Sequence, residues 1–363
     1  MILASLAIGF LILAAIGAVI LVAQGLVEMW RARRLAAKKR PHSYRVVARR
    51  EMGSDAVALD LVPARAWRPA PRFRPGQHVV IVADIPGLGR RRRAYSLAGA
   101  PGRGRPLELG VKREPGGEVS PWLVDQVKPG QKLLVLPPRG DFHSGLLRGA
   151  QRVALVAAGV GVTPFRAMLQ DWVRRPPPFQ VRLHVSARTL DQLYYHDDFV
   201  DMAARCAWFS YEPRVTGDAG WSGERARLSA QDVLAGLSGE AAAQILMCAG
   251  RAMEASLKDG LALAGFPTSS IHSEAFGLAL TGGDVRANIV YRGRGFEFHG
   301  EPTLLHALTA QGFDIPSECR VGDCGECRLR IATGEARCLL TGRVERDTVL
   351  TCCAVPSTDL QLV

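Results

Sequence analysis

The sequence predicts a multidomain chain: an N-terminal transmembrane helix, an antiparallel β-barrel, an α/β domain on a parallel sheet, and a small α+β domain. Three observations predict it. Ile2 to Ala23 is an uncharged apolar run of 22 residues, with Ser5 its only polar side chain. Beyond it, short alternating runs broken by Pro and Gly give way to a continuous apolar run, Val153–Ala158, that ends in glycines. Near the C-terminus stand three cysteines as Cys319-x4-Cys324-x2-Cys327, with Cys352 following after 24 intervening residues. The expected parts are an anchor over 1–30, a basic linker over 31–42, the barrel over 43–148, the α/β domain over 149–276, a linker over 277–284 and the cysteine-bearing domain over 285–363.

A run of 22 apolar residues is long enough to span a bilayer as a helix. A signal peptide needs basic residues ahead of the apolar run, and here the basic residues follow it: Arg31, Arg33, Arg34, Lys38, Lys39 and Arg40. The positive-inside rule then places the N-terminus outside and the bulk of the chain in the cytoplasm, as a single-pass protein of the cell inner membrane. Trp30 stands at the expected interface. The formal charge of +12 does not point to nucleic acid, because its distribution is uneven. Residues 1–45 hold seven Lys/Arg against Glu28, residues 285–363 hold nine Arg against ten acids, and the middle holds thirty basic against twenty-three acidic residues. The surplus is read as a solvated surface together with a juxtamembrane basic segment that favours an anionic leaflet.

From Tyr44 the alternating runs are Tyr44–Arg50, Ala56–Val62, His78–Val82, Leu107–Lys112 and Lys132–Leu136, separated by Pro75-Gly76, Pro86-Gly87 and Pro129-Gly130. Short strands at this spacing predict an antiparallel barrel. Ser120 before Pro121 predicts a helix with Ser120 as its N-cap. Two motifs lie in this part. Arg93-Ala-Tyr95-Ser96-Leu97 offers a cation for phosphate, a ring to cover a flat aromatic system and a hydroxyl for its edge. Most of the run Arg90–Arg93 is expected to be solvated. Lys112-Arg-Glu-Pro-Gly116-Gly117-Glu-Val-Ser120 lets backbone N–H groups approach a diphosphate ahead of a helix N-terminus. Together, Arg-x-Tyr-Ser and Gly-x-x-Ser resemble the flavin-binding barrel of the ferredoxin–NADP reductase superfamily, and Leu136-Pro-Pro-Arg-Gly-Asp-Phe142 resembles that barrel's end.

The apolar run after Arg152 leads into Gly159-Val-Gly161-Val-Thr163-Pro164 and a helical stretch, Phe165–Val173. A buried parallel strand, a glycine turn and a helix N-terminus form a phosphate cradle. Further strands are expected at Val181–Ser186, Ala243–Met247 and around Ile271–Phe276. Gly-x-Gly-x-Thr-Pro resembles the pyridine-nucleotide motif of the same superfamily. Cys248-Ala-Gly250-Arg251-Ala-Met253 resembles its Cys-Gly-x-x-x-Met stretch with Ala249 inserted, and Glu274-Ala-Phe276 its Glu-x-Phe stretch beside the nicotinamide.

The spacing of Cys319, Cys324 and Cys327 is the plant-type spacing for a [2Fe–2S] cluster held by four thiolates. Gly322 and Gly325 let the loop wrap closely and turn N–H groups toward the sulfurs. Such ligands belong in a reducing compartment and do not form a secreted disulfide framework. Cys206, Cys248 and Cys338 fall outside the pattern and default to buried thiols. Cys338, Cys352 and Cys353 compete for the fourth position. Hairpin strands at Val285–Tyr291 and Gly295–His299, a helix over Pro302–Ala310 capped near Gly300 or Glu301, the cysteine loop and a strand at Cys327–Ile331 resemble the β-grasp fold of plant-type ferredoxins. Leu350-Thr-Cys352-Cys353-Ala-Val-Pro356 resembles the family's Leu-Thr-Cys-Gln-Ala-x-Pro, which implies that Cys352 is the ligand.

The resemblance covers about residues 43–363 and is to the oxygenase-reductase branch. It implies a converter of one hydride from NAD(P)H into two single electrons, passed through a flavin and the cluster to an outside acceptor. It implies that Ser96 contacts the flavin edge, Tyr95 packs on the ring and Arg93 holds phosphate. Gly116, Gly117 and Ser120 would hold the diphosphate, with Leu97 and Lys112 in the same motifs. Gly159, Gly161, Thr163 and Pro164 would hold the nucleotide pyrophosphate. Cys248, Glu274 and Phe276 would line the nicotinamide site. The diphosphate loop favours FAD over FMN. Ser186-Ala-Arg188, with Arg225 and Arg227 further on, leans toward NADPH over NADH. Arg320 and Arg328 flank cluster ligands, where positive charge favours the reduced cluster. The acceptor is expected to be an oxygenase, hydroxylase or desaturase reached from the membrane. The alternatives are an electron-entry subunit of a larger respiratory or photosynthetic membrane complex, with Gly9, Ala14, Gly17 and Ala18 packing on other helices, and a non-catalytic assembly or sensor protein that keeps the fold.

Overall fold

A computed structural model describes residues 40–65, 71–237, 242–274, 285–317, 320, 322, 325–339 and 342–363. The expected membrane helix Ile2–Ala23 and the linker 277–284 lie outside the described residues. Among the described residues no helix is long and apolar enough to cross a membrane.

The first sheet contains β1 (His42–Met52), β2 (Ala56–Pro63), β3 (His78–Ile85), β4 (Gly89–Ser96), β5 (Leu107–Lys112) and β6 (Lys132–Val135). Its order is β4-β3-β6-β1-β2-β5 and every pairing is antiparallel. An isolated antiparallel bridge between Leu97 and Leu109 joins the two ends, so the sheet closes as a barrel. Alternation drives it: on β1, Tyr44 and Val46 point inward while Arg45 and Val47 face out. The inner face of Val46, Leu59, Val79, Ile81, Leu97 and Leu109 forms one apolar core. Helix α1 (Val119–Asp125) covers that core with Val119, Leu123 and Val124.

Two local expectations change here. Ser120 is not the N-cap of α1; Glu118 holds that place, and the Ser120 hydroxyl accepts the Glu114 N–H at 3.1 Å. The arginines of β4 are not mostly solvated: Arg91, Arg92 and Arg93 are half-buried. The Glu118 carboxylate draws two of them in, at 2.9 Å from Arg91 Nε and 3.5 Å from Arg93 Nη2.

The second sheet is wholly parallel: β7 (Arg152–Ala158), β8 (Gln180–Ala187), β9 (Phe209–Val215), β10 (Ala243–Cys248) and β11 (Ile271–Ser273), in the order β11-β10-β7-β8-β9. Buried on both faces, β7 reads as a continuous apolar run. Helices α2 (Thr163–Arg174) and α3 (His196–Arg205) cover one face through Phe165, Met168, Trp172, Phe199 and Met202. Helices α4 (Ala230–Ala235) and α5 (Arg251–Leu263) cover the other through Val233, Leu257 and Leu261. The chain leaves β7 toward β8 on one side and returns to β10 on the other. The carboxyl end of β7 is therefore the switch point at which open α/β sheets bind ligands.

The third part pairs β12 (Arg286–Tyr291), β13 (Arg294–His299), β14 (Arg328–Thr333), β17 (Thr348–Leu350) and β19 (Leu360–Leu362) in the order β13-β12-β19-β14-β17. A second small sheet has the order β16-β15-β18, from β15 (Ala336–Cys338), β16 (Val344–Glu345) and β18 (Ala354–Pro356). The last strand runs parallel to the first, β12, while the other pairings are antiparallel. Helix α6 (Leu304–Ala310) lies across them with Leu304, Leu305 and Leu308 buried. Its N-cap is Thr303, whose hydroxyl accepts the His306 N–H. Glu301 instead accepts the His299 N–H at 2.7 Å.

Candidate functional site

On β4, Arg93, Tyr95 and Ser96 stand opposite Ile81, Val79 and His78 of β3. Burial, reinforced by Arg320, lowers the Arg93 guanidinium to a pKa of about 10, against the opposing pull of Glu118. It remains a cation at neutral pH. Burial pushes the Tyr95 phenol up, so it stays neutral. Leu97 is fully buried and its N–H donates to Gln77 O at 3.0 Å, which fixes the strand end that carries Ser96.

The glycine turn before α1 divides its work. Gly116 has φ +73°, and a Cβ there would meet nothing within 4 Å, so its backbone faces open space. Gly117 folds back, its N–H donating to Glu114 O at 2.9 Å, with the Ser120 hydroxyl bracing the same turn. This leaves room for a phosphate beside Arg93 and exposed backbone. Lys112 is turned away toward Asp55, 3.5 Å from its carboxylate.

Beyond β7, Gly159 takes φ +53° and Gly161 packs directly on the carbonyl of Cys248; a Cβ on Gly161 would overlap that oxygen. Thr163 is buried, its hydroxyl donating to Val160 O at 2.9 Å, and Pro164 is the second residue of α2. These residues hold the loop at the switch point open for an anion. Arg188 is exposed just past the end of β8, where its carbonyl accepts the Gly217 N–H.

Three expected residues converge from two domains. Cys248 ends β10 and is fully buried; burial, then Glu274 and Glu254, hold its thiol far above the usual range, so it is a neutral S–H. Glu274 continues the β11 alignment by donating its N–H to Met247 O at 3.0 Å. The Ser96 hydroxyl of the barrel lies 3.4 Å from Glu274 Oε2, within reach to donate. A fourth group was missed: His78 is buried and its Nδ1 lies 3.5 Å from Glu274 Oε1. Its signal was a polar residue heading the otherwise apolar strand His78–Val82. Phe276 lies outside the described residues.

In the third part, Cys319 and Cys324 lie outside the described residues. Cys327 and Cys352 are buried side by side. Hydrogen bonding to Cys327 lowers the Cys352 pKa, but Cys353 and burial override it, and the thiol is pushed up to about 12. The Gly322 N–H also points at the Cys352 sulfur, the donor arrangement that suits a thiolate-bound cluster. Thr351 locks the pair together, its N–H and hydroxyl both donating to Cys327 O at 3.2 and 3.0 Å. The Cys353 Sγ donates to Leu350 O at 3.5 Å and also lies within hydrogen-bond reach of the Cys352 sulfur, and Cys338 is half-buried on β15. Arg328 is exposed and donates to Thr348 Oγ1 at 3.3 Å. Arg320, at φ +55°, is close enough to Glu118, Arg91 and Cys352 to feel all three charges. Arg320 therefore stands beside the Glu118 end of the barrel. A second link joins this part to the α/β domain, Arg251 donating to Leu339 O at 2.5 Å.

Comparison with known proteins agrees with this architecture. Residues 65–144 match the family described as oxidoreductase FAD-binding domain, 155–259 the oxidoreductase NAD-binding domain, and 289–357 the 2Fe-2S iron-sulfur cluster binding domain. The glycine betaine monooxygenase reductase subunit of Pseudomonas aeruginosa is 28% identical over 79% of this chain and 86% of its own length. The heme-dependent oxidative N-demethylase beta subunit of Ectopseudomonas mendocina is 31% identical over 73% of this chain and 79% of its own. Among solved structures, phthalate dioxygenase reductase aligns with a TM-score of 0.63 at 22% identity, over 89% of this chain and 97% of its own. The order of the three domains, the converging Ser96, Cys248 and Glu274, and the paired Cys327 and Cys352 accompany these matches: the chain is an oxidoreductase of the ferredoxin–NADP reductase superfamily, with FAD-binding, NAD-binding and C-terminal [2Fe–2S] domains.

Proposed function

We propose that this chain is a membrane-anchored NAD(P)H-dependent reductase that supplies single electrons to an oxygenase, with functional units at 43–148, 149–276 and 285–363. When bound, FAD accepts a hydride and the [2Fe–2S] cluster carries its electrons one at a time. The chain's own residues bind, orient and insulate. Arg93 and the open backbone at Gly116 suit the flavin phosphates, and Tyr95 offers its ring as a cover. Gly159, Gly161 and Thr163 suit the nucleotide pyrophosphate at the switch point. The buried, neutral Cys248 gives the nicotinamide an uncharged wall, and Ser96 and Glu274 sit where the two rings would meet. Cys319, Cys324, Cys327 and Cys352 are the assigned ligands of the cluster.

The observation that carries this reading is the approach of Ser96 to Glu274 across the barrel and the α/β domain, 178 residues apart in sequence. It puts the flavin-side and nucleotide-side groups in one place. Anaerobic titration with NADPH and with NADH tests it: the flavin absorbance bleaches first and the cluster absorbance second. Absence of bleaching with either nucleotide sinks the proposal. The exposed Arg188 favours NADPH, which the ratio of the two KM values decides.

An oxygenase acceptor is favoured because relatives carry that role in their names, as reductase subunits of glycine betaine monooxygenase and of stachydrine N-demethylase. The apolar run Ile2–Ala23 with its following basic residues favours an inner-membrane anchor with cytoplasmic domains. A chain lacking residues 1–30 is expected to leave the membrane fraction and still reduce an artificial one-electron acceptor. Mild detergent extraction, followed by identification of co-eluting chains, separates an oxygenase partner from a larger electron-transport complex.

A further inference from the structure

We infer that Asp55 and Tyr194 link the flavin-phosphate segment to the nucleotide loop, so that filling either site tightens the other. The inference rests on the reductase reading above and makes both residues positioning residues for its two cofactors. Asp55 lies in the turn between β1 and β2 and faces two domains at once. On the barrel side, its carbonyl accepts the Arg113 N–H at 2.7 Å and its carboxylate stands 3.5 Å from Lys112 Nζ. Lys112 and Arg113 open the segment whose turn at Gly116 suits the flavin phosphates. On the α/β side, the same carboxylate accepts the Tyr194 hydroxyl on Oδ1 and the Gln192 side-chain amide on Oδ2, the latter at 3.2 Å. Burial, then Asp55, push the Tyr194 phenol up, so it stays a donor.

Tyr194 carries the link to the second site. It is buried and its ring borders the glycine loop after β7: a Cβ at Gly159 would lie 3.9 Å from Tyr194 Cε2. Tyr195 follows at φ +62°, a conformation that a tyrosine rarely takes, and sends the next ring to a different partner. That ring lies under the Arg166 guanidinium, and a Cβ at Gly110 would sit 3.0 Å from its hydroxyl and 2.5 Å from Thr163 Cγ2. Strand β5, which runs from Gly110 directly to Lys112, therefore packs against the nucleotide loop at Thr163. A phosphate bound at Gly116 orders the segment that grips Asp55, and Asp55 holds the ring that borders Gly159. Each ligand then orders what the other needs, which is positive coupling, equal in both directions by linkage. Docking of the two domains is served next door by groups that touch neither cofactor segment. The Ser54 hydroxyl donates to Asp191 at 2.7 Å, and Gly53 packs on the Asp191 carbonyl. Docking alone therefore does not call for an acid with partners on both cofactor sides.

Flavin release from the holoenzyme reads this coupling without turnover. ADP-ribose and 2′-phospho-ADP-ribose carry the nucleotide pyrophosphate but no nicotinamide ring, so neither holds the flavin by stacking on it. Release is followed by flavin fluorescence after dilution, with and without a saturating concentration of whichever fragment binds. In the wild type the fragment is expected to slow release at least about fivefold, the lower end of ordinary coupling. Tyr194→Phe keeps the ring and loses the hydrogen bond, Asp55→Asn keeps the shape and loses the charge facing Lys112, and each should bring the protection below about twofold. Ser54→Ala loosens the same interface away from the cofactor segments and should keep the wild-type protection. A substitution that only loosens the fold speeds release equally with and without the fragment and leaves the ratio alone. Equal release with and without the fragment in the wild type, protection that survives in Tyr194→Phe or in Asp55→Asn, or a loss in Ser54→Ala as complete as in Tyr194→Phe each overturns the proposal. A wild type that carries no flavin, or binds neither fragment, is a failure of the reductase reading. One that carries flavin, binds a fragment and shows no protection leaves that reading standing and removes the link alone.

Discussion

Arg166 of α2 and Glu108 of β5 meet in a buried ion pair across two domains, Nη1 to Oε2 at 2.8 Å. Arg166 also donates to Ala98 O at 3.0 Å and to Asp198 at 2.7 Å, and its guanidinium lies 4.1 Å from the centre of the Tyr195 ring. Arg50 reaches the other oxygen of Glu108 at 3.0 Å. The helix that begins at the nucleotide loop is thereby pinned to the flavin barrel. Removing one partner of a buried pair leaves an uncompensated charge and costs about 3–5 kcal/mol. Because Arg50 still faces Glu108, Arg166→Met is expected at the lower end, about 3 kcal/mol. Arg166→Met combined with Glu108→Gln should lose less than the two single losses added together. Thermal unfolding of the three variants checks the sign of that coupling.

Gly161 has no room for a side chain, because its α-carbon faces the Cys248 carbonyl. Gly161→Ala forces β7 and β10 apart at the switch point and displaces Cys248. The expected outcome is a rise of at least tenfold in KM for the nicotinamide nucleotide, with flavin content unchanged. Steady-state kinetics together with the flavin-to-protein absorbance ratio separates this from unfolding. Gly116→Ala is the contrasting case: the space is open but φ is +73°, so the variant suffers backbone strain, and the loss falls on flavin retention.

What was legible in the sequence follows from where information is local. Ser96, Cys248 and Glu274 end strands or follow them directly, and the short motifs that contain them sit at the turns those strands need. The barrel, the parallel sheet and the hairpin–helix order were legible for the same reason. His78, Glu118 and Arg166 acquire their partners only on folding. The Arg166–Glu108 pair is 58 residues apart, and neither residue alone differs from a surface charge. Strand β9 was missed because Phe209-Ser-Tyr-Glu-Pro-Arg-Val215 is polar and contains Pro213. It forms because it is the outermost strand of its sheet, the position where proline is tolerated. The α1 cap was misplaced by two residues because Ser120 satisfies Glu114, a loop contact that outranks the capping preference.

His184 lies buried in the middle of β8, and neither ring nitrogen has a partner among the described residues. Burial, then the neighbouring Arg182 and Arg214, lowers its pKa from 6.5 to about 4. The unfolded chain therefore binds this proton near pH 6.5 while the folded chain refuses it until near pH 4. Stability from this group is complete above about pH 6.5 and declines as pH falls, by about 1.4 kcal/mol per unit between the two values. The full decline is roughly 3 kcal/mol. His184→Leu removes this slope and leaves the carboxylate contributions in place. Unfolding temperatures measured from pH 7 to pH 4 should fall more steeply for the wild type than for His184→Leu. Parallel curves would mean that the imidazole is solvated in the folded state.

Cys352 and Cys353 are adjacent but differently placed, and that difference predicts which one the cluster needs. The Cys352 sulfur faces Cys327 and receives the Gly322 N–H, while Cys353 is fully buried in the apolar core, its Sγ reaching the Leu350 carbonyl and the Cys352 sulfur. Cys352→Ala should abolish cluster absorbance in the visible range and the electron paramagnetic resonance signal of the dithionite-reduced protein. Flavin reduction by NAD(P)H should survive, because the flavin and nucleotide groups lie in the other two domains. Cys353→Ala should keep both cluster signals and lose only packing, about 1 kcal/mol for a small buried thiol. A residual cluster in Cys352→Ala that disappears in the double variant would show that Cys353 rotates out of the core to take the vacant position. The thiol's short reach and the Thr351 clamp on Cys327 oppose that movement, so the single substitution is expected to suffice.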